Sequence, residues 1–302
     1  MNDSESFKII LTFIVISFVI AILIDVATYR ILGRGFTSSH AQFIPTREAV
    51  IAIVWGFTRM YSVAFSALVT FLMYRYPVRR FLSYWIRFKG GRRAFIFYLL
   101  APIATFISLA IVIEVSALAN IVRLDVIYGY GYPLILIFAY ISSITINTFF
   151  ALGEEIGWRG LLQDFLEFKY GFQTATILTG LVWGLWHVPA ILILGYFDVG
   201  KSVYSAIGFV IWVIFLAIPH ALIRRYSSSI VPSASLHGSI NAVWGLIFAS
   251  LTSLCYGLRA IYSGVLYGLI ATIIIYLIAK LLRVETNLSK IIEVEKKELE
   301  IW

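Results

Sequence analysis

The sequence predicts an all-α membrane protein, a bundle of about eight transmembrane helices with its N- and C-termini in the cytoplasm. Two observations predict this fold class. Hydrophobic residues make up 61% of the chain and charged residues only 13%, with a mean hydropathy of +0.91, which is far from the balance of a soluble domain. Apolar runs long enough to cross a bilayer, roughly 20 residues each, also recur along the chain between short polar joints.

Eight apolar runs account for the predicted spans in order. They lie at residues 8–29, 49–74, 94–122, 133–168, 172–194, 203–223, 230–253 and 261–282. The first run meets Asp25 and is followed by no small-residue cleavage pattern, so we expect it to be retained as a span. We therefore predict a single membrane domain over residues 1–302, which ends in a charged cytoplasmic tail at 283–302.

The distribution of basic residues predicts the orientation. The segment 75–93 holds seven Lys and Arg residues and no acid, so the positive-inside rule places it in the cytoplasm. Eight spans then put both termini on the same side. Lys and Arg residues in the cytoplasmic segments explain the net charge of +8. Aromatic residues within the basic segment indicate that it contacts anionic lipid of the bilayer. We expect no nucleic-acid partner.

The stretch GEEIGWRG of the fourth span holds three ionisable residues. Glu155 and Arg159 are four residues apart, with the acid first, so they are expected to form an ion pair on one helical face. Glu154 lies about 100° around the helix and has no obvious local partner. A carboxylate in a low-dielectric setting is a stronger proton acceptor, which suits Glu154 to general-base chemistry.

A histidine in the next span is predicted to lie at the same depth as Glu154. The joint KYGF at residues 169–172 is short, so the fourth and fifth helices should form an antiparallel hairpin. Glu154 and His187 are equally far along the chain from its turn, about 25 Å at 1.5 Å per residue. Trp183 precedes His187 by one helical turn.

A third element carries His237 and Asn241, which are one turn apart and therefore share a helical face. Pro232 precedes them in the first turn of the predicted helix, where its missing N–H does no harm. Each of these polar residues alone could be a hydrogen bond between helices. Together they predict a cavity in which carboxylate and imidazole deprotonate a water, while His and Asn donate to the oxyanion of an attacked amide.

These motifs, EE-x-x-x-R, aromatic-x-x-x-His and His-x-x-x-Asn in chain order, resemble those of the CPBP family of intramembrane proteases. That family includes the CAAX prenyl endopeptidases of the Ras-converting type and abortive-infection-like proteins. The resemblance covers about residues 133–250, the expected catalytic core. It implies an endopeptidase acting on a membrane-associated protein or peptide, with Glu154 activating water, His187 assisting, and His237 with Asn241 forming the oxyanion site. Glu155, Arg159 and Trp183 would support them, and Trp183 stands where the family usually has phenylalanine.

The family is often called a metalloprotease. A mechanism in which a divalent metal such as zinc binds the attacking water is therefore an alternative. Glu154, His187 and His237 could supply the three protein ligands that a catalytic zinc site requires. Only one His comes from each helix, however, and no His-Glu-x-x-His spacing assembles a site locally. This favours a glutamate-activated water without metal, and bound-metal analysis would distinguish the two.

The remaining charged residues within or near spans have simpler interpretations. Arg59 and Glu114 lie at similar predicted depths, which suggests an ion pair between the second and third helices. His220 lies near Arg224 and Arg225 at a helix end, and we expect it at the membrane interface.

Two functions from other classes compete with a protease. A non-catalytic membrane immunity or scaffold protein on the same fold would be marked by loss of Glu154 or His237, and both are present. A transporter would be expected to show inverted repeats with Gly- or Pro-broken helices in matching positions, and the sequence has no such pattern.

Overall fold

The computed structural model describes residues 3–36, 47–76, 78, 91–121, 132–195, 202–250, 256–288, 290–291 and 293. These residues form eight long helices and no strand. The helices are α1 (Asp3–Leu32), α2 (Arg47–Met73), α3 (Arg92–Leu118), α4 (132–170), α5 (Phe172–Leu194), α6 (Val203–Ser227), α7 (Val231–Ser250) and α8 (Tyr256–Leu281). The all-α bundle that the composition predicts is confirmed.

Seven of the eight helices are long and apolar enough to cross a membrane, so the protein is a multi-pass integral membrane protein. The seventh predicted span corresponds to α7, which is not among the seven. The reason lies in its composition, because α7 carries Ser233, Ser235, His237 and Ser239, all of them buried. These polar side chains are tolerated inside the bundle, where neighbouring helices provide hydrogen-bond partners.

The predicted hairpin between the fourth and fifth helices is present. Helix α4 ends at Tyr170 and α5 begins at Phe172. Gly171 between them has a φ of +78°, a backbone conformation that glycine adopts without steric cost. The two helices therefore return side by side, and Glu154 is brought close to α5.

Helix α7 crosses α4 at very short range. A Cβ atom at Gly238 would lie 2.7 Å from the backbone of Asn147, so only glycine fits there. On the other side α7 packs on α3, where the hydroxyls of Ser239 and Thr105 are 2.6 Å apart. These contacts fix the position of His237, the neighbour of Gly238.

The predicted ion pair between Arg59 and Glu114 is wrong. The Nε of Arg59 instead donates to Asp25 on α1 at 2.9 Å, and both side chains are almost fully buried. Glu114 lies on an exposed face of α3. The guanidinium of Arg59 also donates to the carbonyl of Trp186 at 2.6 Å and stacks 3.6 Å from its ring. Depth along the bundle did not identify the partner, because several helices pass Arg59 at the same depth.

A second buried charge network joins the ends of α4 and α6. Arg225 forms ion pairs with Asp164, at 2.9 Å, and with Glu167. Arg224 lies 3.3 Å from the same Asp164 carboxylate. This network holds the end of α6, the helix that carries His220, against α4.

The orientation in the membrane and the division into a catalytic core and a tail stay predictions. Of the basic segment 75–93, residues 77 and 79–90 lie outside the described part of the chain, as do 289, 292 and 294–302 of the predicted tail.

Candidate active site

Helix α4 changes its winding next to the two glutamates. Thr148–Glu155 is α-helical and Ile156–Leu162 is π-helical, and a second π-helical segment lies earlier at Ser143–Asn147. Such wider turns are rare and are frequently found at functional sites. Glu154 and Glu155 are 2% and 0% exposed, so both carboxylates are inside the bundle.

Glu154 has two partners, and both donors are indoles. Its Oε2 accepts a hydrogen bond from Nε1 of Trp183 at 2.6 Å and another from Nε1 of Trp158 at 3.1 Å. No described residue donates to Oε1. The expectation that Glu154 has no local partner is therefore wrong, because Trp158 follows it by four residues. That spacing was visible in the sequence.

His187 has a defined tautomer. Its Nδ1 lies 2.9 Å from the carbonyl oxygen of Trp183, and a carbonyl can only accept, so we assign the proton to Nδ1. In the neutral ring Nε2 then carries a lone pair. His187 is thus equipped to accept a proton or a hydrogen bond through Nε2.

Glu155 is the centre of a buried network. Its Oε1 lies 3.3 Å from Nη1 of Arg159 and 3.0 Å from Nδ1 of His237, and its Oε2 accepts from the hydroxyl of Ser233 at 2.7 Å. The structure thus contains the Glu155–Arg159 ion pair that the spacing predicts. The guanidinium of Arg159 also lies 4.3 Å from the ring of Trp183. Glu155 therefore holds His237 in place rather than facing open space.

His220, which the sequence suggested would lie at the membrane interface, is fully buried inside the bundle beside this network. Its ring lies 5.9 Å from that of His237 and 5.5 Å from that of Trp183. Its Nδ1 is 2.6 Å from the carbonyl of Leu216, and its Nε2 has no hydrogen-bond partner among the described residues. Sequence reasoning missed it because the adjacent arginines suggested a helix end in water.

A cavity of about 30 Å³ joins these elements, which is enough for a water molecule. Glu154, His187, His237 and Asn241 all line it, together with Trp183. The rest of its wall is apolar and consists of Met60, Phe209, Trp212, Val213, Leu216 and Ile240. The residues predicted from three separate motifs are therefore brought together around one small space, while their catalytic roles stay predictions.

A group that could hold a metal ion is also present, and it differs from the predicted set. Glu155, His220 and His237 offer ligand atoms within 4.8 Å of one another. Glu154 and His187 are not part of this group. The hydrogen bonds do not favour a dication there, because Glu155 is already engaged by Arg159, His237 and Ser233. A divalent ion would also lie beside the buried guanidinium of Arg159, at a large electrostatic cost.

The fold and the site together define a class: a multi-pass helical membrane protein with a cavity lined by buried Glu and His side chains and by the exposed Asn241. Residues 132–243 match the family model of type II CAAX prenyl endopeptidase Rce1-like proteins. This match covers the part of the chain that carries the cavity and supports the resemblance to the CPBP, or CAAX protease, family of membrane endopeptidases. All seven predicted site residues lie within the matched range.

One curated relative is the CAAX prenyl protease 2 of Methanococcus maripaludis. It is 28% identical over 127 residues, which is 41% of this chain. The chain matches about 45% of the length of that relative. The similarity therefore concerns less than half of each chain.

Proposed function

We propose that this protein is an intramembrane endopeptidase that hydrolyses a peptide bond of a membrane-associated protein or peptide. The observation that carries the proposal is the cavity itself. A carboxylate, two imidazoles and an amide line one space of water size within a bundle of apolar helices. A non-catalytic scaffold on the same fold would have no need to bury Glu154, His187 and His237 together, because each such group is costly in a membrane.

Glu154 is proposed to activate the water. Its Oε1, which receives no hydrogen bond from a described residue, accepts a proton as the water oxygen bonds to the peptide carbonyl carbon. The lone pair on Nε2 of His187 accepts the second hydrogen bond of the water and orients it. Glu154 then passes its proton to the leaving amine as the C–N bond breaks, so the carboxylate is regenerated.

His237 and Asn241 are proposed to stabilise the oxyanion. Because Nδ1 of His237 is bonded to Glu155, Nε2 is the nitrogen left to face the cavity. A ring that donates through both nitrogens is an imidazolium, and its positive charge lies next to the carboxylate of Glu155, which also pairs with Arg159. The side-chain amide of Asn241, one turn further along α7, supplies a second donor.

The substrate is proposed to be a prenylated C-terminal peptide, on the basis of the family match and the name of the relative. The cavity is compatible with a substrate that arrives in the membrane, because six of its lining residues are apolar. The metal-free form of the mechanism is proposed because Glu155, the carboxylate of the group that could hold an ion, is already engaged by Arg159, His237 and Ser233.

The test is cleavage of a fluorogenic farnesylated peptide ending in a CAAX sequence, by protein reconstituted in lipid nanodiscs. Glu154→Gln should abolish cleavage, because Gln keeps the size of the side chain but cannot take the proton. Glu114→Gln makes the same chemical change on an exposed face of α3 and should retain activity. Full activity of Glu154→Gln would rule out the glutamate-base mechanism, and an inactive parent protein would refute the proposed substrate.

A further inference from the structure

Two tryptophans hold one oxygen of the proposed catalytic carboxylate. The indole N–H groups of Trp183 and Trp158 both donate to Oε2 of Glu154, at 2.6 and 3.1 Å. An indole N–H is a donor only and cannot take a proton from the carboxylate. The two bonds therefore fix Oε2 without competing for the chemistry at Oε1.

Each indole is itself held rigidly. Trp158 is fully buried and meets the rings of Phe13 and Trp186 edge to face, with centroid separations of 5.5 and 5.7 Å. Trp183 is 2% exposed, and its ring faces the guanidinium of Arg159. A hydrogen-bond donor on a fixed ring orients its acceptor more strictly than a donor on a flexible chain does.

Trp183 also touches the other members of the site. Its carbonyl accepts from Nδ1 of His187, and its ring meets that of His237 edge to face at 5.1 Å. One residue thus contacts the proposed base, the assisting histidine and the proposed oxyanion donor. A phenylalanine in its place would keep the ring contacts but lose the bond to Glu154.

We propose that Trp158 and Trp183 are positioning residues that clamp Oε2 of Glu154 and turn Oε1 towards the cavity water. The inference rests on the proposed function for its catalytic consequence, but the clamp itself is a structural arrangement that can be tested separately. A packing role alone would predict that the indoles matter for stability and not for the orientation of the carboxylate.

The catalytic consequence is tested by removing the N–H groups while keeping aromatic rings. Trp158→Phe is the cleaner variant, because Trp158 does not line the cavity. It should lower kcat with KM little changed, since loosening the base affects the reacting geometry and not substrate binding. Trp183→Phe loses the shorter bond and should lower kcat about 10- to 100-fold, the range for a hydrogen bond to a charged group.

Trp55→Phe is the matched control. Its Nε1 donates to a different buried carboxylate, Asp25, at 2.8 Å, so the substitution removes the same kind of bond away from the cavity. It should change stability and leave kcat per folded molecule near the parental value. Parental kcat in both Trp158→Phe and Trp183→Phe would overturn the catalytic part of the proposal.

The clamp is tested without any substrate by nuclear magnetic resonance of protein labelled with ¹⁵N-tryptophan, whose eight indole signals can be assigned from Trp→Phe variants. Glu154→Ala removes the acceptor and should move the Trp158 and Trp183 indole signals upfield, while the Trp55 signal stays in place. If neither signal moves more than that of Trp55, the clamp is refuted. Moved signals in a protein that cleaves no peptide would support the clamp and refute the proposed function.

Discussion

Removing one member of the buried pair of Asp25 and Arg59 should be among the more destabilising single substitutions in the bundle. The two side chains are 2.9 Å apart and are 0% and 3% exposed. Removing one member leaves the other charge buried without compensation, at a cost of about 3–5 kcal/mol. We therefore expect Asp25→Ala to lower the free energy of unfolding by this amount.

Arg59→Ala should be more destabilising than Asp25→Ala. It also removes the hydrogen bond to the carbonyl of Trp186 and the stacking on the ring of that residue at 3.6 Å. A desolvated cation–π contact contributes about 2 kcal/mol. The double variant should be milder than the sum of the two single variants, with a coupling energy of about 2–3 kcal/mol for groups in direct contact.

The assay is unfolding of the purified protein in a fixed detergent, followed by the loss of helical circular dichroism for the parent, both single variants and the double variant. The exposed pair of Arg34 and Glu48, 2.8 Å apart with Arg34 53% exposed, is the control cycle. It should show a coupling of about 0–1 kcal/mol. Additive losses for Asp25 and Arg59 would refute the reasoning, because uncoupled residues are not partners.

Two further predictions concern the chemistry. Asn241→Ala should reduce kcat about 100- to 1000-fold, which corresponds to about 3–4 kcal/mol, because one oxyanion donor is lost. KM should change little. A lower melting temperature with parental kcat would instead show that Asn241 is only a contact between helices. The purified protein should contain no stoichiometric zinc by mass spectrometry and should remain active after treatment with a chelator. One equivalent of zinc that is lost on His220→Ala would contradict the metal-free mechanism.

Local spacing in the sequence was sufficient to predict several features of the site. Residues three or four apart on a helix must lie on one face, which is why the Glu155–Arg159 pair and the shared face of His237 and Asn241 could be predicted. A short helical hairpin also constrains depth, so Glu154 and His187 were expected to come together. Both now line one cavity.

Contacts across the bundle could not be predicted in the same way. Arg59 was assigned to Glu114 from depth alone, whereas its partner is Asp25 on α1. His220 was placed at the interface because of its charged neighbours, yet it is buried beside His237. Periodicity determines which residues share a face of one helix, but not which other helix that face meets.

The sequence by itself determined the class of the protein, since composition and apolar runs require a helical membrane bundle, and three motifs indicate the chemistry. Only the tertiary structure decided how Glu154 is held. Trp183 is 29 residues away in the chain, and its indole reaches Oε2 because α4 and α5 pack at one particular rotation about their axes. That rotation is set by close-packed side chains and short helix crossings throughout the bundle, and no local pattern in the sequence encodes it.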